Sequence, residues 1–74
     1  MGRLIRMDRS GHSTLADWTA TDEKAYDAAM EAFRRELDEG YIAVISEGEG
    51  HATQVTELPI EAELVIMRRP IAGG

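Results

Sequence analysis

The stretch Glu63-Leu-Val-Ile-Met-Arg-Arg-Pro-Ile-Ala-Gly-Gly74 decides how the rest of the chain is interpreted. It begins with four consecutive apolar residues, Leu64 to Met67, a run too short for a helix and too apolar for an exposed strand. Such a run is typical of an interior strand that is covered on both faces. We therefore predict a central, buried strand that ends where Arg68 and Arg69 return the chain to water.

The residues after this strand have little to bury. Pro70 cannot donate a ladder hydrogen bond and favours an extended backbone at the residue before it, so we expect pairing to stop here. The segment then closes on Gly73-Gly74, whose backbone can enter a narrow channel and place a carboxylate there without Cβ clashes. The expected organisation is one domain over residues 1–69 and a flexible tail over residues 70–74.

The composition excludes several classes of protein. The chain has 74 residues, enough for one small domain, and no cysteine, which removes disulfides, thiol nucleophiles and thiolate metal sites. Two histidines are a poor basis for a zinc site. A net charge of −6 argues against nucleic acid as a partner and favours basic or mixed protein surfaces. No apolar run approaches the length of a membrane span, so we expect a soluble cytoplasmic protein without membrane partners.

The distribution of basic residues is unusual. Seven of the eight are arginine, and Lys24 is the single lysine. A protein modifier made of this chain would offer few amines for linkage to itself, and Lys24 would be the candidate acceptor. A GC-rich genome produces the same bias, and that is the simpler explanation.

The N-terminal part predicts a β-hairpin. Arg3 to Met7 is short and apolar in its middle, Asp8 to His12 contains turn formers, and Ser13 to Trp18 resumes a strand-like pattern. An Asp, Ser and His set occurs in this turn, but nucleophile and base must meet through space, and adjacent turn residues rarely do. We therefore expect no catalytic residue here, and the chain as a whole is not expected to be an enzyme.

The segment from Asp22 to Glu39 predicts a helix. It contains no Gly, Pro or β-branched residue, acidic residues stand at its start, and Gly40 follows as a C-terminal stop. Apolar residues three or four positions apart form one stripe, which we expect to pack on a sheet rather than to bind a ligand. The stripe consists of Tyr26, Met30, Phe33 and Leu37, with Ala29 beside it.

Two further strands are predicted after the helix. Tyr41 to Ser46 is nearly continuous in apolar residues, whereas His51 to Glu57 alternates loosely and indicates an exposed partner strand. The turn between them, Glu47 to Gly50, lacks the lysine and hydroxyl residue of a phosphate loop. Leu58 to Ala62 interrupts pairing, and Pro59 is placed to begin one helical turn.

The predicted order of elements is β, β, α, β, β, β. One amphipathic helix can cover one face of one sheet, so the economical architecture is a two-layer α+β domain with a mixed sheet of four to five strands. The last strand is the most apolar, and we expect it in the centre of the sheet beside the first strand.

This order, the length, and a final strand followed by arginines and Gly73-Gly74 resemble ubiquitin and its bacterial ubiquitin-like relatives, which share the β-grasp fold. The resemblance covers the whole chain as a pattern and residues 64–74 as recognisable sequence. The tail departs from ubiquitin at Pro70 and Ile71, and Ala72 stands where ubiquitin carries arginine before the diglycine. These departures favour a dedicated bacterial activating enzyme over one of the ubiquitin type.

The resemblance implies a carrier that has no cofactor, metal or catalytic residue of its own. An E1-like activating enzyme would use ATP to adenylate Gly74, and a cysteine of that enzyme would then take the acyl group as a thioester. The final acceptor would be an amine of a target protein, with an E2-like enzyme and a deconjugating protease as further partners. Gly73 and Gly74 would be the activated end, and Arg68, Arg69 and Ala72 would be recognised beside it.

Other interpretations stay open. In sulfur carriers of the same fold, the activated end becomes a C-terminal thiocarboxylate. A non-conjugated β-grasp interaction module, such as a phage or prophage assembly protein, would act through its sheet face or the turn at Asp8 to His12. The Leu, Ile and Val surface patch of ubiquitin has only Ile42 and Ile66 as candidate counterparts, and both are at least as suited to a core. Gly73-Gly74 is also compatible with two small residues at a frayed end.

Overall fold

A computed structural model gives the structure of the protein and describes residues 1–46 and 52–69. Within these residues the chain forms five strands and one helix, in the predicted order. The strands are β1 (Gly2–Asp8), β2 (Gly11–Trp18), β3 (Ile42–Ser46), β4 (Ala52–Val55) and β5 (Leu64–Arg68), and the helix is α1 (Glu23–Asp38). The predicted turn over residues 47–50, His51 and the predicted tail over residues 70–74 lie outside the described residues.

The strands form one mixed sheet in the order β2-β1-β5-β3-β4. β1 and β5 are parallel neighbours near its centre, and the other three pairs of neighbours are antiparallel. The helix lies on one face of this sheet, mainly over β2. The protein is therefore a two-layer α+β domain of the β-grasp type, and the predicted position of the last strand beside the first is confirmed.

The helix begins and ends where the sequence indicates. Asp22 is the N-cap, and its Oδ1 accepts a hydrogen bond from the N–H of Ala25 at 3.0 Å. Gly40 has a φ of +97°, a left-handed conformation that favours glycine just past the end of a helix. The predicted stripe is core: Ala29 and Phe33 are buried, and Tyr26, Met30 and Leu37 are partly buried against the core.

The core lies between the helix and the sheet, and its largest fully buried side chains are Trp18, Phe33, Leu4, Met67 and Val65. The indole Nε1 of Trp18 donates a hydrogen bond to the carbonyl oxygen of Ile60 at 3.0 Å. Ile60 belongs to the segment between β4 and β5, so this bond ties that segment to the end of β2. A buried indole N–H needs such a partner, because leaving it unpaired would cost free energy.

The segment between β4 and β5 contains one hydrogen-bonded turn. The N–H of Ala62 donates to the carbonyl oxygen of Pro59 at 3.2 Å, so the turn begins at the predicted residue but does not continue into a helix. Leu58, just before it, is buried in the core.

The prediction that β5 is covered on both faces was wrong. Val65 and Met67 are fully buried on the helix side, whereas Leu64, on the other side, is 37% exposed and Ile66 is partly buried. The strand is interior within the plane of the sheet, because β1 pairs with one of its edges and β3 pairs with the other. A sheet with antiparallel pairs can leave one face uncovered, and the helix covers only one face here.

Candidate functional site

The predicted tail-recognition residues Arg68 and Arg69 lie at the end of β5. Arg68 is the last residue of the strand, Arg69 follows it, and both are exposed. We call these two residues the tail root. The remaining predicted site residues, Ala72, Gly73 and Gly74, lie outside the described residues. The structure therefore describes where the predicted tail starts, and not the end that would be activated.

The guanidinium group of Arg69 is held against an aromatic ring. Its Cζ lies over the ring of Tyr41, 5.1 Å from the ring centroid. The Cζ of Arg6 lies over the same ring at 5.7 Å. Tyr41 stands between the end of α1 and the start of β3, so its ring joins the tail root to the end of the helix. Both contacts are attractive, because the face of an aromatic ring carries negative electrostatic potential.

Arg6 also neutralises a buried carboxylate. Its Nη1 donates to Oε1 of Glu36 at 3.1 Å, and Glu36 is only 5% exposed. Coulombic attraction to Glu36, together with this hydrogen bond, raises the pKa of Arg6 above its ordinary value. The Nε of Arg6 is buried and has no hydrogen-bond partner among the described residues. Arg6 therefore binds Glu36 through Nη1, and the same guanidinium group also lies over the ring of Tyr41.

The set of Arg6, Glu36 and Tyr41 is not among the residues predicted from the sequence. A signal was available in the helix, because Glu36 follows Phe33 by three positions and Ala29 by seven and so shares the core face of α1. A carboxylate on a buried face needs a cation or donors from the opposite layer. Arg6 is the sheet residue that provides it.

The Asp, Ser and His set of the β1–β2 connection is arranged as a turn. Oδ1 of Asp8 accepts hydrogen bonds from the N–H of Ser10 at 2.9 Å and from its hydroxyl at 2.6 Å. These two bonds lower the pKa of Asp8. His12 lies in β2, opposite Met7 of β1. An aspartate that accepts from the residue two positions later stabilises a tight turn.

The face of the sheet opposite α1 carries an apolar cluster, formed by Ile5, Val44 and Ile66, which we call the open-face cluster. Ile66 of β5 pairs with Ile5 on one side and with Val44 on the other. Side chains of paired residues project from the same face of a sheet. Ile5 is 9% exposed and the other two are partly buried, and none of the three belongs to the core beneath the helix.

Strand alternation extends this surface toward both ends of β5. Ile42 pairs with Arg68 at one end, and Leu64 pairs with Arg3 at the other. Ile42 and Ile66 are the candidate counterparts of the surface patch of ubiquitin. Both lie on the sheet face opposite the helix and outside the core beneath it. Arg3 is bonded to exposed Asp17 at 2.9 Å. The described structure therefore presents an apolar strip with an arginine near each end, a surface suited to contact with another protein.

The candidate acceptor Lys24 is exposed in the first turn of α1. Tyr41 follows the other end of the helix, so about 20 Å of helix length separates Lys24 from the tail root. The structure does not bring these predicted residues together.

The described ranges, 1–46 and 52–69, contain no group of three or more His, Asp or Glu side chains placed to hold a metal ion. The helix in those ranges is neither long enough nor apolar enough to cross a membrane.

Comparisons of the chain with protein-family models, with curated proteins and with solved structures gave no match. The fold is therefore assigned from the strand order and pairing, and the function is argued from the residues above.

Proposed function

We propose that the chain is a ubiquitin-like protein modifier, activated at the carboxylate of Gly74 by an ATP-dependent activating enzyme and joined to amines of target proteins. The observation that carries the proposal is the position of β5, which lies between β1 and β3 and ends at Arg68. Beyond Arg69 the sequence is poor in large side chains and reaches Gly73-Gly74 within five residues. A strand that is hydrogen-bonded on both edges is held firmly in the sheet, so the tail that follows it starts from a stable part of the domain when a partner binds it.

The chemistry needs only a carboxylate from this chain. The Gly74 carboxylate attacks the α-phosphate of ATP, pyrophosphate leaves, and an acyl adenylate forms. A cysteine thiolate of the activating enzyme displaces AMP to give a thioester, and a lysine amine of the target displaces that thiolate to give an isopeptide bond. Glycine at positions 73 and 74 leaves the carbonyl carbon open to each nucleophile. The proposal requires a free carboxylate on Gly74, as encoded or after cleavage.

We assign recognition by the activating enzyme to Arg68 and Arg69, with Ala72 as the small residue beside the diglycine. Both arginines are exposed, and guanidinium groups bind carboxylates with two parallel hydrogen bonds. The partner surface around the tail is therefore expected to be acidic. A conjugating enzyme and a deconjugating protease would meet the same tail.

A sulfur carrier is the first alternative, and it shares the adenylation step. A sulfide-level sulfur nucleophile then displaces AMP from the acyl adenylate, and the product is a thiocarboxylate on Gly74 in place of an isopeptide bond. Both pathways use the same tail, so only the product separates them.

The open-face cluster favours a second alternative, a non-conjugated interaction module that binds a partner protein through its sheet. On the face opposite the helix, Val44 and Ile66 are partly exposed beside nearly fully buried Ile5, and they give this face an accessible apolar surface. An interaction module of this kind would need that surface, and deleting Gly73 and Gly74 would leave its function intact.

Intact-mass analysis of the untagged protein, expressed together with its neighbouring genes, distinguishes the three functions. The wild-type chain is compared with a variant lacking Gly73 and Gly74. A matched control carries one extra alanine after Gly74, which keeps the diglycine but moves the carboxylate off it.

Adducts of other proteins that form only with the wild-type chain would support the modifier. Replacement of one oxygen by sulfur, again only in the wild type, would support the sulfur carrier. An unchanged mass without adducts in all three chains would overturn both and leave the interaction module.

A further inference from the structure

The tail root is connected to the interior of the protein through three side chains. Arg69 lies over Tyr41, Arg6 lies over the same ring, and Arg6 is bonded to the buried carboxylate of Glu36. We propose that Tyr41 is a positioning residue for the tail root, because its ring holds the side chain of Arg69 just beyond the end of the β5 ladder. Its role in activation rests on the proposed function, whereas its role in positioning does not.

Arg69 needs such a support because it lies beyond the ladder. Pairing of β5 with β1 ends at Met67, and pairing with β3 ends at Arg68. Within the described residues, the contact with Tyr41 is the one electrostatic or hydrogen-bonded interaction of the Arg69 side chain. A long, exposed side chain without this contact would sample many rotamers, and the backbone after the strand would lose a restraint.

Tyr41 is itself held firmly enough to act as a support. Its N–H donates to the carbonyl oxygen of Glu36 at 3.1 Å, which fixes its backbone to the last turns of α1. The side chain is partly buried and packs against the core. The ring is therefore part of the folded domain, whereas Arg69, which it contacts, is exposed and lies beyond the ladder.

The ion pair of Arg6 and Glu36 allows two arginines to share one ring. Two guanidinium groups that contact the same aromatic ring repel each other, and a nearby carboxylate offsets part of that repulsion. Glu36 is buried, so solvent and salt screen its charge weakly. The order of Arg69 is thus coupled through Tyr41 to a pair that belongs to the helix and β1.

This arrangement prepares the tail root for a partner. An activating enzyme would meet Arg69 already oriented, so binding would cost less conformational entropy. Tyr41 lies far along the chain from the Gly74 carboxylate, and we assign it no role in the chemical steps. Loss of the ring should therefore raise the KM for the modifier and leave kcat unchanged.

Nuclear magnetic resonance of the full chain tests the positioning role directly. Protons over an aromatic face are shifted upfield, so the Nε–H signals of Arg69 and Arg6 report on the ring. Tyr41→Phe, which keeps the ring, is expected to preserve both shifts and the order of the Arg69 amide. Tyr41→Leu is expected to move both signals toward those of a free arginine and to lower that order.

Two controls separate positioning from damage to the fold. Circular dichroism shows whether Tyr41→Leu remains folded, and Arg68→Gln removes a neighbouring cation that is paired with Ile42 on the sheet face opposite the helix. Arg68→Gln is expected to leave the Arg69 signal in place.

An unchanged Arg69 signal in Tyr41→Leu would overturn the proposal, as would a Tyr41→Phe variant that behaves like Tyr41→Leu. If Tyr41→Leu unfolds, the wild type and Tyr41→Phe decide, because an Arg69 Nε–H signal at the free-arginine position in both would overturn the proposal.

Adenylation kinetics test the role in activation. Loss of a cation–π contact at a partly exposed site is expected to raise KM by roughly 2- to 5-fold at unchanged kcat in Tyr41→Leu, with Tyr41→Phe close to the wild type. An unchanged KM alongside a lost ring shift would overturn the role in recognition. A wild-type chain that is never adenylated would instead overturn the proposed function, and the resonance data would still decide the positioning role.

Discussion

Gly2 of β1 lies directly opposite Trp18 of β2, and the indole occupies the space that a side chain at position 2 would need. A Cβ built on Gly2 would lie 2.2 Å from Cε2 of Trp18, far inside van der Waals contact. The indole is 1% exposed and is bonded to the carbonyl oxygen of Ile60, so it cannot easily move away. Glycine at this position is thus what lets β1 pass under the indole.

We expect Gly2→Ala to lower the free energy of unfolding by roughly 1 to 3 kcal/mol, because the methyl group must displace a buried ring. Urea unfolding followed by tryptophan fluorescence measures this loss and reports on Trp18 itself. Ser13→Ala, an exposed change in β2, is the matched control and should stay within about 0.5 kcal/mol. Equal stability of Gly2→Ala and the control would show that the indole of Trp18 can shift to accommodate the methyl group at little cost in free energy.

Phe33→Ala should be the more severe change. Phe33 is 1% exposed and lies in the middle of the helix stripe, so its loss leaves a cavity between the two layers. The expected loss is roughly 3 to 5 kcal/mol, which threatens so small a domain. Arg34→Ala, an exposed neighbour on the same helix, provides the comparison. A near-neutral result for Phe33→Ala in thermal unfolding would contradict its place in the core.

The order of elements and the bounds of α1 could be predicted because their causes are local. Apolar periodicity, acidic residues at the start of the helix and a glycine at position 40 each act within a few residues. The central position of β5 followed from its unbroken apolar run. That run led to one wrong prediction, because Ile66 and Leu64 lie on the side of the sheet opposite the helix and are not fully buried. An unbroken apolar run indicates that a strand lies in the centre of a sheet, but it does not indicate whether one or both faces of that strand are covered.

Strand register could not be predicted. The β1–β2 ladder shifts between Leu4 and Ile5, so that Leu4 faces Ala16 while Ile5 faces Thr14. A shift of one residue exchanges the two faces of a strand, and nothing in the sequence locates it. The pairing of Gly2 with Trp18 depends on this shift. The contacts of Tyr41 with the two arginines likewise join segments distant in sequence, which no local pattern reports.

The Asp8 carboxylate should make stability depend on pH in the acid range. Its pKa is lowered in the folded state by hydrogen bonds from the hydroxyl and N–H of Ser10. The unfolded chain then binds the proton more readily, so the contribution is present above the ordinary aspartate value and lost as pH falls below about 4. Ser10→Ala removes the hydroxyl but keeps the N–H.

We therefore expect Ser10→Ala to move the pKa of Asp8 part of the way back toward its ordinary value in a titration followed by nuclear magnetic resonance. The difference in stability between wild type and variant should shrink as pH falls through the folded-state pKa. Thr14→Ala, an exposed change elsewhere in β2, should leave the titration of Asp8 unmoved. An unchanged Asp8 titration in Ser10→Ala would mean that the hydroxyl bond contributes nothing.

The pair of Arg6 and Glu36 should show strong non-additivity. Arg6→Met leaves the buried carboxylate of Glu36 without its cation, and this should lower the midpoint of urea unfolding at pH 7 markedly. Glu36→Gln should cost less, because a neutral amide is cheaper to bury than an unpaired charge.

In the double variant, the charge that made Arg6→Met costly is already gone. The loss of stability in the double variant should therefore be smaller than the sum of the two single losses. Arg3→Met with Asp17→Asn is the matched control, because that ion pair is exposed and contributes little to stability. Strict additivity for Arg6 and Glu36, as expected for the control pair, would show that solvent screens the buried carboxylate and that it does not anchor Arg6 against Tyr41.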